Sequence, residues 1–150
     1  MLTIGDEAPA FALPDQDGVT VRLSSFTGRR VLVFFYPKAD TPGCTQQACG
    51  VNEVLDRIGD TAVVGISPDP PARQKKFATK HGLGFPLLAD TEHAVADAYG
   101  VWKEKSMYGR TYFGIERSAF LVGPTGKLEQ VWYKISPKDT PAKLLGAVGS

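Results

Sequence analysis

The sequence predicts an α/β fold: one domain over residues 1–150, with a central mixed β-sheet flanked by helices and a β-hairpin at its N-terminal end. Three observations predict it. Two continuous apolar, β-rich runs, Val31 to Tyr36 and Ala62 to Ile66, stand one helix length apart; such runs suit strands buried on both faces of a helix-covered sheet. Between them Ala48, Val51, Leu55 and Ile58 recur at spacings of 3, 4 and 3, which places them on one helical face. Further on, Ser118 to Val122 and Leu128 to Tyr133 flank the turn cluster Gly123-Pro124-Thr125-Gly126-Lys127, the pattern of an antiparallel hairpin.

The elements follow in order. Phe11 to Leu13 and Val19 to Leu23 flank Pro14-Asp15-Gln16-Asp17-Gly18, a turn-forming cluster, and form the first hairpin. The two apolar runs and the helix between them make a βαβ unit. Pro71 opens a helix over Ala72 to His81 that Gly82 ends, and a shorter helix covers His93 to Tyr99. An irregular stretch leads to the second hairpin, and Ala142 to Val148 reads as a closing helix. A parallel βαβ unit followed by an antiparallel hairpin, with helices on both sides, is a thioredoxin-like fold. With 150 residues, 43% of them apolar, the chain can bury one core but not two.

Charge narrows the function. Seventeen basic residues against sixteen acidic ones leave a net charge of +1, too little to gather phosphates or an anionic membrane. The pairs Arg29-Arg30 and Lys75-Lys76 read as solvated charges, and no nucleic-acid partner is expected. The start, MLTIGDEAPAF, lacks a basic cluster and an apolar run, and nowhere do 18 apolar residues stand together. The expectation is a cytoplasmic chain with no membrane partner. In such a reducing compartment a permanent structural disulfide is disfavoured, and metal or redox chemistry gains weight.

The only two cysteines, Cys44 and Cys49, lie in TPGCTQQAC. Thr41 suits the N-cap and Pro42 the first helical position, so Cys44 falls in the first turn. There the unpaired N–H groups and the helix dipole favour an anion, such as a thiolate. A thiol of pKa about 8.5 is only about 3% ionised at pH 7, whereas one lowered to about 6 is about 90% ionised. Helix placement alone falls short of such a shift, so a nearby cation is expected. Five helical residues turn the two side chains about 140° apart and separate their Cα atoms by about 8.6 Å. A disulfide needs about 4.4–6.8 Å, so the thiols of a wound helix cannot bond until its first turns open. Gly50 fits that need, since an interior glycine weakens a helix by about 1 kcal/mol; close packing against a neighbour explains it equally well.

Four readings of the pair compete. Inert core cysteines suit Cys49 better than Cys44 behind Thr-Pro-Gly. A metal site needs more ligands, and only the distant His81 and His93 are on offer. A dithiol exchanging with protein disulfides uses C-x-x-C, a shorter spacing. In the fourth reading one cysteine takes oxygen from a peroxide, becomes a sulfenic acid, and is condensed upon by the other.

The segment resembles a known family. Pro37, Thr41 and Cys44 in PKADTPGC match the P-x-x-x-T-x-x-C signature of peroxiredoxins. TPGCTQQAC resembles the subgroup called bacterioferritin comigratory protein or peroxiredoxin Q. GDEAPAFALPDQDG, VVGISPD, FPLLAD and GVWKEKSMYGRTYFGIERSAFLV extend the likeness in family order over nearly the whole chain. The resemblance implies a cofactor-free, metal-free, monomeric thiol peroxidase that reduces hydrogen peroxide and organic hydroperoxides and is recycled by thioredoxin or a similar dithiol. Cys44 corresponds to the peroxidatic cysteine and Cys49 to the resolving one, joined in an intramolecular disulfide. Thr41 corresponds to the threonine that orients peroxide and thiolate, and Pro37 to the proline that shields them. Arg117 corresponds to the family arginine, which supplies the missing cation. Backbone N–H groups of Gly43 and Cys44 complete the peroxide cradle, and Trp102, Met107, Tyr108 and Phe113 are expected to line a substrate pocket. Departures from the family pattern at Lys103, Ala119 and Gly123 touch strand and loop detail. A thiol-disulfide exchange protein and a metal-binding module of the same fold remain as alternatives.

Overall fold

The structure, a computed structural model, describes residues 1–149. In chain order the elements are β1 (Ala12–Pro14), β2 (Thr20–Arg22), β3 (Val31–Phe35), α1 (Pro42–Glu53), β4 (Ala62–Ser67), α2 (Pro71–His81) and β5 (Leu87–Ala89). They continue with α3 (Ala94–Ala98), β6 (Trp102–Met107), β7 (Arg110–Ile115), β8 (Ser118–Val122), β9 (Leu128–Trp132) and α4 (Asp139–Val148). The main sheet has the order β5-β4-β3-β8-β9. β3, β4 and β5 are parallel, and β8 and β9 are antiparallel to their neighbours, so the sheet is mixed as expected. β1 and β2 form the N-terminal hairpin.

β3 sits at the centre of this sheet and explains its own composition. Side chains alternate across a strand, so Leu32 and Phe34 enter a core shared with α1, α2 and α4, while Val31, Val33 and Phe35 enter a second core beneath α3. All five are buried, and each full burial stabilises by about 1.5–3 kcal/mol. Gly65 of β4 lies where a methyl group would stand 2.9 Å from Phe34 Cζ and 3.1 Å from Tyr36 Cε1. Its missing side chain leaves the space that both rings occupy.

Several boundaries differ from the sequence expectation. α1 ends at Glu53, and Leu55–Arg57 form a separate 3-10 turn, so Ile58 completes the apolar row from a different backbone geometry. α2, by contrast, runs from Pro71 to His81 and ends at Gly82, as expected, the glycine taking a left-handed φ of 59°. α4 begins at Asp139, earlier than Ala142. The stretch expected to be irregular is the hairpin β6–β7, paired from Trp102 opposite Ile115 to Met107 opposite Arg110. Its turn residues Tyr108 and Gly109 both have positive φ, 52° and 77°, as the favoured two-residue hairpin turn requires.

Candidate active site

The chain reaches the site from β3. Tyr36 adds one further ladder bond, its N–H donating to the Ile66 carbonyl at 3.0 Å; Pro37 has no N–H, and the strand ends. The loop then turns through Asp40, at a left-handed φ of 64°, to Thr41 at the N-cap position of α1. Thr41 does not cap with its side chain, contrary to its sequence role. Its hydroxyl donates instead to the Lys38 carbonyl at 2.8 Å, closing the loop on itself. Thr45 N–H bonds the Thr41 carbonyl at 2.8 Å, so the amides of Gly43 and Cys44 lie ahead of the helical ladder and have no acceptor within it.

Cys44 is buried, 1% exposed. Arg117, between β7 and β8, points Nη1 at Cys44 Sγ, 3.5 Å away, although 73 residues separate the two in sequence. The same Nη1 donates to Gln47 Oε1 at 2.7 Å. Gly43 makes room for this guanidinium: a methyl group there would stand 3.1 Å from Arg117 Nη2. Gln47 Nε2 donates to Thr140 Oγ1 at 3.0 Å, and Thr140 Oγ1 donates to the Ser136 carbonyl at 3.1 Å. A buried polar chain thus runs from the thiol to the start of α4. Sequence reasoning missed Gln47 and Thr140. The available signal was a polar residue three positions after Cys44, on a helix face that is otherwise apolar.

Cys49 is half-buried, and both thiols are free. They lie on one unbroken helix, α1. Burial first, and the Glu53 charge second, push the Cys49 thiol above its ordinary range. Gly50, one residue on, faces α4, and a methyl group there would stand 3.0 Å from Pro141 Cγ. Of the two explanations for this glycine, close packing is the one visible in the fold.

The expected aromatic pocket does not assemble. Tyr108 occupies the tip of the β6–β7 hairpin, 97% exposed, and shares a shallow groove with Met107, Arg110 and Tyr112. Trp102 is at the hairpin's base, about 20 Å away along the strand, stacked on His93 with ring centroids 4.1 Å apart. Phe113 stacks loosely on Trp102 at 6.5 Å and is 59% exposed. A projecting two-stranded ribbon keeps its tip residues in solvent, far from its base. His81 pairs with Asp40 and His93 with Asp97. Among the described residues no three His, Cys, Asp or Glu side chains stand together as a metal-binding group, and no helix is long and apolar enough to cross a membrane.

Comparison with known proteins fits this geometry. The AhpC/TSA family description matches residues 4–131. Peroxiredoxin Bcp of Escherichia coli strain K12 is 52% identical over 133 residues, covering 87% of this chain and 85% of that protein. The structure of Xanthomonas campestris bacterioferritin comigratory protein, studied for its alkyl peroxide reduction activity, superposes with a TM-score of 0.87 at 34% identity, covering 92% and 89% of the two chains. A mutant of Xylella fastidiosa PrxQ superposes with a TM-score of 0.91 at 30% identity, covering 98% and 95%. The chain belongs to the AhpC/TSA family, in its peroxiredoxin Q and Bcp group, and is a thiol peroxidase with the thioredoxin fold.

Proposed function

We propose that Cys44 is the peroxide-reducing cysteine and Cys49 its resolving partner. The observation that carries the assignment is the Arg117 guanidinium 3.5 Å from a buried sulfur in the first turn of α1. The Cys44 thiolate attacks the peroxide oxygen that bears hydrogen; the S–O bond forms, the O–O bond breaks, and the departing oxygen leaves as alkoxide or hydroxide and takes a proton from solvent. Sulfur is oxidised to a sulfenic acid and the peroxide is reduced to an alcohol or water. Arg117 and the free amides of Gly43 and Cys44 are donors suited to the negative charge that moves onto the leaving oxygen. Thr41 orients the peroxide from the opposite side, and Pro37 excludes water.

Cys49 then condenses with the sulfenic acid, releasing water and forming the Cys44–Cys49 disulfide within one chain after the first turns of α1 unwind. A thioredoxin-type dithiol, oxidised in turn, reduces that disulfide. Hydrogen peroxide and organic hydroperoxides are the substrates, the working unit is a monomer, and its compartment is the cytoplasm.

Peroxide-dependent oxidation of reduced thioredoxin by wild type, Cys44→Ser and Cys49→Ser tests the reading. Cys44→Ser should lose turnover, and Cys49→Ser should complete one fast oxidation and hold a trappable sulfenic acid. Wild-type turnover by Cys44→Ser removes the assignment, and a disulfide between chains in the oxidised protein overturns intramolecular resolution.

A further inference from the structure

The site has two halves with different supports. Cys44 and Arg117 are held through Gln47 and Thr140 by α1 and α4. Thr41 is placed by the loop that precedes α1. Among the described residues, from Pro37 onward that loop's N–H and side-chain bonds to the rest of the fold run to one unit, the β4–α2 connection and α2. The Ala39 N–H donates to Asp69 Oδ2 at 2.7 Å, and Asp40 pairs with Lys80 Nζ at 3.1 Å and His81 Nε2 at 3.2 Å.

These two attachments differ in kind. Asp40, Lys80 and His81 meet at the surface, where water and salt compete for each charge. Ala39 is 1% exposed and Asp69 8%, so the Ala39 N–H has a carboxylate or nothing. The carboxylate is itself fixed. Ser67 Oγ donates to Asp69 Oδ2 at 2.7 Å, and Arg73 Nε lies 3.2 Å from Oδ1. Gln74 Nε2 donates to Ser67 Oγ at 2.9 Å and to the Leu88 carbonyl at 3.0 Å, while Gln74 Oε1 accepts from the Tyr36 hydroxyl. This array ties Tyr36, the last residue before the loop, and the loop's midpoint, Ala39, to the same buried group of side chains. The next residue, Asp40, is left-handed, a backbone state uncommon outside glycine that aspartate adopts more readily than most residues.

We infer that Asp69 is a positioning residue for peroxide reduction: through the Ala39 N–H its buried carboxylate sets the Thr41 hydroxyl against Cys44 and Arg117. The inference rests on the assignment of Cys44, Thr41 and Arg117 made above. A peroxide gripped between donors on the two halves needs their spacing fixed, and a displacement near 1 Å can cost about 100-fold in rate. Nothing in Asp69 touches the peroxide; its effect passes through residues 39 to 41.

Single-turnover oxidation of Cys44 by hydrogen peroxide, followed by stopped-flow fluorescence well below each protein's melting temperature, tests this. Asp69→Ala should slow oxidation by about tenfold or more, and Asp69→Asn, whose amide oxygen still accepts from Ala39, should recover to within about threefold of wild type. A purely structural Asp69 would lower the melting temperature and leave the oxidation rate alone. If Asp69→Ala does not fold, an ester in place of the Ala39 amide removes only the donor and should give the same slowing. A folded Asp69→Ala, or the ester protein, oxidised at the wild-type rate overturns the inference, as does Asp69→Asn as slow as Asp69→Ala. Failure of the Cys44 assignment shows separately, as peroxide turnover that survives Cys44→Ser.

Discussion

Replacing Gln47 by alanine probes the link between stability and chemistry at the thiol. Gln47 is fully buried and makes two bonds, accepting from Arg117 at 2.7 Å and donating to Thr140 at 3.0 Å. Loss of the first, from a charged donor, costs about 1.5–3 kcal/mol, and loss of the second about 1 kcal/mol. A total of about 2.5–4 kcal/mol leaves a domain of ordinary stability, about 5–15 kcal/mol, still folded. At about 2–4 °C per kcal/mol for this chain length, the melting temperature should fall by about 5–15 °C. With Gln47 gone, the guanidinium loses the acceptor that holds it beside Cys44, and oxidation should slow by about tenfold to 100-fold. Gln47→Glu separates the two effects. Its carboxylate keeps Arg117 paired and preserves more stability, yet competes with the sulfur for the cation, so oxidation should remain slow. Thermal melts and single-turnover peroxide kinetics on both variants give the answer; a Gln47→Ala protein oxidised as fast as wild type would refute the coupling through Arg117.

Three further outcomes can be checked. Because burial and Glu53 hold the Cys49 thiol up, and the thiolate is the attacking form, disulfide formation after a peroxide pulse should accelerate as pH rises above neutral. Glu53→Gln removes the second cause and should move that profile to lower pH; an unchanged profile refutes the electrostatic effect. Gly50→Ala would set a methyl group 3.0 Å from Pro141 Cγ; overpacking there costs about 1–3 kcal/mol, against about 1 kcal/mol of helix preference gained. α1 should therefore loosen from α4, and the melting temperature should fall without any slowing of disulfide formation, as thermal melts and quenched-flow alkylation would show. Tyr108→Ala, at an exposed hairpin tip, should leave kcat/KM for hydrogen peroxide within about twofold of wild type, as substitutions outside a site do.

What the sequence made legible follows from how local each signal is. β3 and β4 announce themselves because burial on both faces demands unbroken apolar runs, and α2 because Pro71 and Gly82 fix its two ends chemically. Cys44 at the start of α1 needs only Thr41 and Pro42 beside it. The β6–β7 ribbon was invisible for the opposite reason. Both of its faces are largely exposed, so WKEKSM carries no apolar alternation, and Tyr108-Gly109 is not the usual hairpin pair. Arg117 became a candidate only through resemblance, since no local pattern marks a charge that meets its partner across 73 residues. Gln47–Thr140 spans 93 residues and Ala39–Asp69 spans 30; such pairs exist only once the sheet has ordered its strands.

The same contacts bear on both chemical steps, and with opposite sign. On the proposed mechanism α1 has to stay wound while Cys44 meets peroxide and then open so that Cys49 can reach it. Arg117–Gln47–Thr140 and the Gly50–Pro141 packing fasten α1 to the rest of the fold. The first of these also holds the cation at the sulfur, so every interaction that sharpens oxidation there must be broken before resolution. Loosening it should slow the first step and speed the second. Asp69 lies outside this opposition, because its bonds go to Ala39, Ser67 and Arg73 and none of them reaches α1 itself. Changes at Asp69 should therefore move oxidation alone, whereas changes at Gln47 should move both steps in opposite directions, and that contrast separates the two supports of the site kinetically.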